Sequence, residues 1–293
     1  MQNQKISLKE FKPILILLYL SVTGFLCIFS VQRYLHLPIE LVSCLSFMAI
    51  TFGVYTLNRF TDAEEDFTND IGRMIFFQKK KSFLFLAILS LAGSFGYLIF
   101  VQKLNWMHLA ILAIGIGYSY RVIPWFSKEK GLELYRIKDM TLIKNLAVSF
   151  LWGASVFVLP ILYARATFNF LDIGLLALGL FISTLNNTLF DDILDEPGDK
   201  IAKIKTMPVT FGVVPSQLAL ITIDIIWIGL VSIFFFIGKI NLVHYFFLTF
   251  LGLYPFLYIG MNLSGKVPKK IVDLISEMDL FLFTLGMFLL SFY

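Results

Sequence analysis

Residues 38–70 read PIELVSCLSFMAITFGVYTLNRFTDAEEDFTND, a mostly apolar run that passes without a break into a dense acidic patch. The apolar part matches the roughly 20 residues that a helix needs to cross the hydrocarbon core of a bilayer. Asn58, Asp62 and Asp66 follow at i, i+4 and i+8, so a helix continued out of the run lines them along one face. They are expected to form a preorganised helical comb of three oxygen-bearing side chains. Glu64, Glu65 and Asp70 add negative charge. Carboxylates this dense at a membrane boundary repel one another unless a cation sits among them.

Composition extends this reading to the whole chain. Of 293 residues, 58% are hydrophobic and 15% charged, against about 25% charged in an average soluble domain. Nine stretches suit spanning helices, near 13–31, 38–58, 82–101, 106–123, 142–162, 170–190, 217–237, 242–260 and 276–293. The expected fold is an all-α polytopic membrane protein, nine transmembrane helices around a central cavity with a cytoplasmic-side cap. A single domain over residues 1–293 is expected, since no linker or short-period repeat divides the chain.

The basic residues test that division independently. With the N-terminus inside, 20 of the 24 Lys and Arg fall in cytoplasmic segments, and only Arg33, Lys103, Arg165 and Lys239 face the other way. This is the asymmetry of the positive-inside rule, so the expected orientation is N-in, C-out. A bacterial inner (plasma) membrane is the expected location. The three lysines before the first apolar run resemble a signal peptide, but no small-residue cleavage site follows, so an uncleaved first helix is expected. Cys27 and Cys44 read as small core residues. His36, His108 and His244 lack the spacing of a histidine metal site.

Both acidic clusters then lie on one membrane face. The second, FDDILDEPGD at 190–199, sits at the exit of the sixth span. Asp191 and Asp195 are one helical turn apart, but Pro197 removes a backbone donor and disfavours helix at Glu196. With Gly198 permitting a sharp turn, Asp199 is expected on a loop that bends back. One of Asp191 and Asp192 is expected to assist the site, while Glu64, Glu65 and Glu196 read as solvated. Oxygen-only ligands at this density suit Mg²⁺, which bridges carboxylates to substrate phosphates. Arg73, Lys79 to Lys81, Lys138 and Lys200 to Lys205 are placed to contact diphosphate oxygens. Lys79 to Lys81 read more as a topology and headgroup signal than as a substrate contact. An acidic pair, a basic cap and an apolar bundle beneath describe a site for a prenyl diphosphate.

These motifs resemble the UbiA family of intramembrane prenyltransferases. The first matches its N-x-x-x-D-x-x-x-D at Asn58, Asp62 and Asp66, and the second its D-x-x-x-D at Asp195 and Asp199. DDILDEPGDKIAKIKTMPV is similar to the family's D-x-x-D-x-x-G-D…K-T-x-P-V string. After the first motif many relatives carry Asn-Pro-x-x-Arg-Pro, where this chain reads NDIGRMIFF and keeps Asn69 and Arg73. Tyr135 and Lys138 match the family's Tyr-x-x-Lys element.

The resemblance implies two Mg²⁺ ions held by Asp62 and Asp66 on one side and Asp195 and Asp199 on the other. It gives catalytic roles to Asn58, Asp62, Asp66, Asp195, Asp199, Lys138 and Tyr135, and substrate-binding roles to Arg73, Asn69, Lys200, Lys205, Asp191 and Asp192. The implied reaction ionises an allylic diphosphate in a dry cavity and passes the prenyl group to a lipophilic or aromatic acceptor, with an aromatic ring preferred. Expected partners are these substrates and membrane lipid, with neither nucleic acid nor an obligate protein partner. A transporter of a cation or phosphorylated substrate is the alternative, although its charges belong near mid-span. A CDP-alcohol phosphotransferase needs a D-G-x-x-A-R string that this chain lacks. Asp224, inside the seventh span, reads as functional by default but has no evident role.

Overall fold

The computed structural model describes residues 8–62, 76–77, 81–127, 131–165, 170–202 and 204–293. Eleven α-helices are described: α1 (Leu8–Tyr34), α2 (Leu41–Thr61), α3 (Ser82–Phe100), α4 (Trp106–Ser119), α5 (Ile143–Ala164), α6 (Phe170–Ile201), α7 (Met207–Phe211), α8 (Val213–Phe236), α9 (Leu242–Ser264), α10 (Lys269–Ser276) and α11 (Asp279–Leu290). Helix dominates because a chain this apolar has no water in the bilayer core to satisfy its backbone groups. Every expected span contains a helix. Among the described residues seven are long and apolar enough to cross a membrane, and the protein is an integral, multi-pass membrane protein. The other two are shorter: α4 has 14 residues and α11 has 12.

The helices close on themselves. α1 packs on α2 and on α11, and the circuit runs from α2 through α4, α5, α6, α8 and α9 back to α11. One core cluster holds Cys27, Ile28, Cys44, Phe47, Trp152, Phe157, Trp227 and Phe283. A second joins α6 to α8, α9 and α10 through Phe190, Leu194, Leu220, Tyr258 and Val272. Cys27 and Cys44 are free, buried core residues.

Three features depart from the sequence reading. The segment 121–141 is not plain loop: β1 (Ile123–Ser127) and β2 (Gly131–Tyr135) pair antiparallel, with Phe126 opposite Leu132. The last span, expected over 276–293, starts at a break between α10 and α11, and successive carbonyls at the break are capped by side chains. Tyr254 donates to the Ile275 carbonyl at 2.7 Å, Asn187 to Ser276 at 3.0 Å and Tyr19 to Glu277 at 2.7 Å. Such capping is what lets an interrupted helix persist inside a bundle.

The third departure matters most. α6 does not stop at Pro197; it continues through Gly198 and Asp199 to Ile201. A proline inside a helix costs about 3 kcal/mol. Against that, Leu185, Leu189, Phe190, Ile193 and Leu194 are all buried, each contributing roughly 1.5–3 kcal/mol. Packing therefore overrides the local preference. The Lys269 ammonium adds to this by hydrogen-bonding the Leu194 carbonyl beside the proline gap. Pro197→Ala restores the missing donor to the Ile193 carbonyl and is expected to raise thermal stability by at most about 3 kcal/mol, read as a higher Tm.

Candidate active site

Asp62 is the cap residue where α2 ends, buried at 7% exposure. Asn58, one turn earlier, donates through Nδ2 to Asp62 Oδ2 at 2.8 Å, and Ser119 of α4 donates to Asn58 Oδ1 at 3.3 Å. The other carboxylate oxygen pairs with the ammonium of Lys138, itself only 5% exposed. The expected comb is thus present as far as Asp62. Asp66, Asn69 and Arg73 lie outside the described residues.

Lys138 is delivered by a short 3₁₀ turn, Ile137–Asp139, directly after β2. Asp139 clamps that turn: its Oδ1 accepts from Arg136 Nε at 3.0 Å and Nη2 at 2.6 Å, and its Oδ2 accepts from the Arg136 backbone N–H at 3.1 Å. Burial pushes the Asp139 carboxyl up, but Arg136, helped by Arg121, more than reverses this and holds it below the usual carboxylate range. A depressed folded value contributes stability above the unfolded pKa of about 3.9, and that stability is lost as pH falls below it. Asp139→Asn is expected to cost about 1–2 kcal/mol of local stability. Faster deuterium uptake at residues 136–140 checks it, and acidifying the wild type below the carboxylate range should reproduce the effect.

The same segment reaches the second acidic cluster. Lys144 donates to Asp192 Oδ1 at 2.6 Å, and Asn145 donates to Asp192 Oδ2 at 3.1 Å. Between the two lysines, Leu142 holds a left-handed backbone, φ +66°, a conformation a non-glycine residue adopts only under constraint. One short stretch of chain therefore neutralises Asp62 on α2 and Asp192 on α6.

Because α6 is continuous, Asp191, Asp195 and Asp199 recur at i, i+4 and i+8, so the expected bent loop is replaced by a second helical row. Asp195 is half-exposed and pairs with Lys269 at 3.3 Å, while Asp199 is buried. Asp191 turns towards α10, and its carboxylate lies with those of Asp273 and Glu277 within 4.8 Å of one another. Lys200 points outward, 74% exposed, 4.0 Å from Glu196. Lys205 is exposed, with its carbonyl accepting from Thr141 at 2.8 Å. Tyr135 gives its hydroxyl to Glu133 at 3.1 Å. Asp224 pairs with Asn186 at 2.6 Å deep between α6 and α8.

Beneath the two rows lies a small cavity lined by Leu20, Tyr55, Val148, Trp152, Thr184, Asn187, Thr188, Glu277, Asp279 and Leu280. Tyr55 precedes Asn58 by a turn on α2, and Asn187 and Thr188 precede Asp191 and Asp192 by a turn on α6. Trp152 donates to the Tyr55 hydroxyl at 3.0 Å across it. The donor set fits a hard divalent cation: among the described residues carboxylate oxygens dominate, no sulfur or imidazole intervenes, and the buried Asn145 Oδ1 beside Asp192 has no hydrogen-bond partner. Sequence reasoning placed Lys144 and Lys269 only as topology markers, and missed Asn145, Ser119, Asp273 and Glu277 as members of this region.

A sequence profile of the UbiA prenyltransferase family matches residues 17–292. The chain belongs to the UbiA prenyltransferase family. It is a membrane prenyltransferase. Among curated UbiA relatives, the digeranylgeranylglyceryl phosphate synthase of Methanobrevibacter smithii is 24% identical over 259 residues, 85% of each chain. A UbiA homolog from Archaeoglobus fulgidus solved with DMAPP and Mg²⁺ superposes with a TM-score of 0.64 at 16% identity, covering 97% of this chain and 99% of that one. The same homolog with GPP and Mg²⁺ gives 0.65 at 14% identity, over 97% and 100%. At these identities the structures show a shared fold.

Proposed function

We propose that this UbiA protein transfers a prenyl group from a prenyl diphosphate, in a Mg²⁺-dependent reaction at the cavity between α2 and α6, to a lipophilic acceptor. The observation that carries this reading is the pair of buried acid–lysine contacts, Asp62 with Lys138 and Asp192 with Lys144, set by one chain segment over one cavity. In support, the Archaeoglobus homolog of the same fold was solved with DMAPP or GPP and Mg²⁺.

Asp62 and Asp66 on one side, and Asp192, Asp195 and Asp199 on the other, are the residues that would hold Mg²⁺. Bound there, it would supply positive charge to the departing diphosphate. The chain's own residues do the rest. Asn58 orients Asp62 through its amide, and Lys138 and Lys144 bring ammonium groups to the rim, where diphosphate oxygens arrive. Leu20, Val148, Trp152 and Leu280 exclude water from an allylic cation. The ring faces of Tyr55 and Trp152 stabilise positive charge beside it. An N-in, C-out orientation, which the bias of the basic residues supports, would put this rim on the cytoplasmic side.

The resemblance alone favours an aromatic acceptor, whereas the Methanobrevibacter relative is named for a glyceryl phosphate product. The deciding assay supplies purified protein in lipid nanodiscs with labelled prenyl diphosphates, Mg²⁺, and aromatic or glyceryl phosphate acceptors in separate arms. Labelled lipid product in one arm identifies the acceptor class. Absence of Mg²⁺-dependent diphosphate release in every arm would overturn the proposal.

A further inference from the structure

The β1–β2 hairpin carries a face that the proposed chemistry leaves unexplained. Phe126 and Leu132 are directly opposite in the antiparallel register, as are Pro124 and Leu134, so all four side chains share one face. That face is open: Phe126 is 76% exposed and Leu132 69%, with Leu134, Pro124 and the preceding Val122 exposed as well. The other face leans on the bundle, where the Ile123 and Ile137 side chains lie over Gly117 of α4. In an antiparallel pair with one wet face the outward positions should be polar. Here they are the apolar ones.

The surface adjoining the hairpin says what covers it. The exposed residues of α4 are Trp106, Leu109, Ala113 and Ile116, recurring at three- and four-residue spacing as a single stripe that the exposed cap residue Tyr120 follows. In a spanning bundle such a stripe faces lipid tails. Tyr120, at its end, is the kind of side chain that marks the membrane–water boundary. The chain then passes directly into Val122, Pro124 and Phe126, so the hairpin's apolar face continues the lipid-facing stripe. An isolated two-stranded hairpin is marginal in water, and a contiguous exposed apolar patch of this kind marks an interaction surface.

We propose that the β1–β2 hairpin is an interfacial lipid anchor: Val122, Pro124, Phe126, Leu132 and Leu134 rest in the boundary between headgroups and acyl chains. The docked hairpin fixes the position of Lys138, because β2 leads straight into the Arg136–Asp139 clamp that presents Lys138 to Asp62. The hairpin thereby ties the site's geometry to the presence of a bilayer surface.

The test uses full-length protein in phosphatidylcholine nanodiscs, spin-labelled at Phe126→Cys or Leu132→Cys, with Lys266→Cys, exposed on the loop before α10, as the aqueous reference. Cys27 and Cys44 are fully buried and stay in place. Power saturation with oxygen and with a water-soluble nickel chelate reads the depth of each label. Labels at 126 and 132 are expected to be open to oxygen and at least severalfold more protected from the nickel chelate than the label at 266. Nickel accessibility equal to that at 266 would overturn the proposal by placing the face in water. Protection from both reagents would overturn it too, since a protein partner and not lipid would then cover the face. The readout is independent of turnover, so it stands whether or not the acceptor assay succeeds.

Discussion

Replacing Asp62 with alanine is expected to lower prenyl transfer by about 10²–10³-fold, the usual effect of deleting one preorganised electrostatic group from an active site. The same change strands Lys138. With that ammonium only 5% exposed, loss of its partner leaves a buried charge unmatched, at a cost of about 3–5 kcal/mol. Lost stability and lost chemistry therefore coincide in the single variant. The double variant Asp62→Asn with Lys138→Met separates them, because it removes the buried charge along with its partner. Tm is expected to recover towards the wild type while diphosphate release stays low. If release returned to within about tenfold of wild type in the double variant, Asp62 would be a structural residue and its assignment to the site would fail.

The second large effect is expected at Asp192. Asp192→Ala removes the acceptor of both Lys144 and Asn145, so it should match the Asp62 variant, about 10²–10³-fold in rate and several kcal/mol in stability. The neighbouring Asp191 supplies the contrast. Its carboxylate lies within 4.8 Å of those of Asp273 and Glu277, so Asp191→Asn relieves like-charge repulsion and is expected to hold or raise Tm where Asp192→Asn lowers it. Thermal unfolding of the two purified asparagine variants side by side decides this. Equal destabilisation would mean that the two acids carry the same role.

The bundle was legible because burial in lipid leaves little choice. Hydropathy located the nine longest helices, of which α4 and α11 are shorter than full spans, while the short α7 and α10 lay outside it. The first acidic motif was legible for a similar reason, since i, i+4 spacing sets Asn58 against Asp62 wherever α2 persists. The second was misread because Pro197 was judged by its neighbours in sequence. Its helix is held by residues of α8, α9 and α10, whose contribution no local window contains. Lys144 and Lys269 were in plain view as cations, but which carboxylate each one meets depends on tertiary packing. The hairpin was missed because its strands are five residues each and flanked by far stronger helical signals.

The segment from Lys138 to Asn145 is anchored at both ends, by Asp62 on α2 and by Asp192 on α6. Its length is therefore a structural constant of the protein, whereas surface loops generally drift freely in length. A one-residue insertion there would rotate one lysine away from its acid without touching either motif. Among natural variants of this chain, gaps should be absent between 138 and 145.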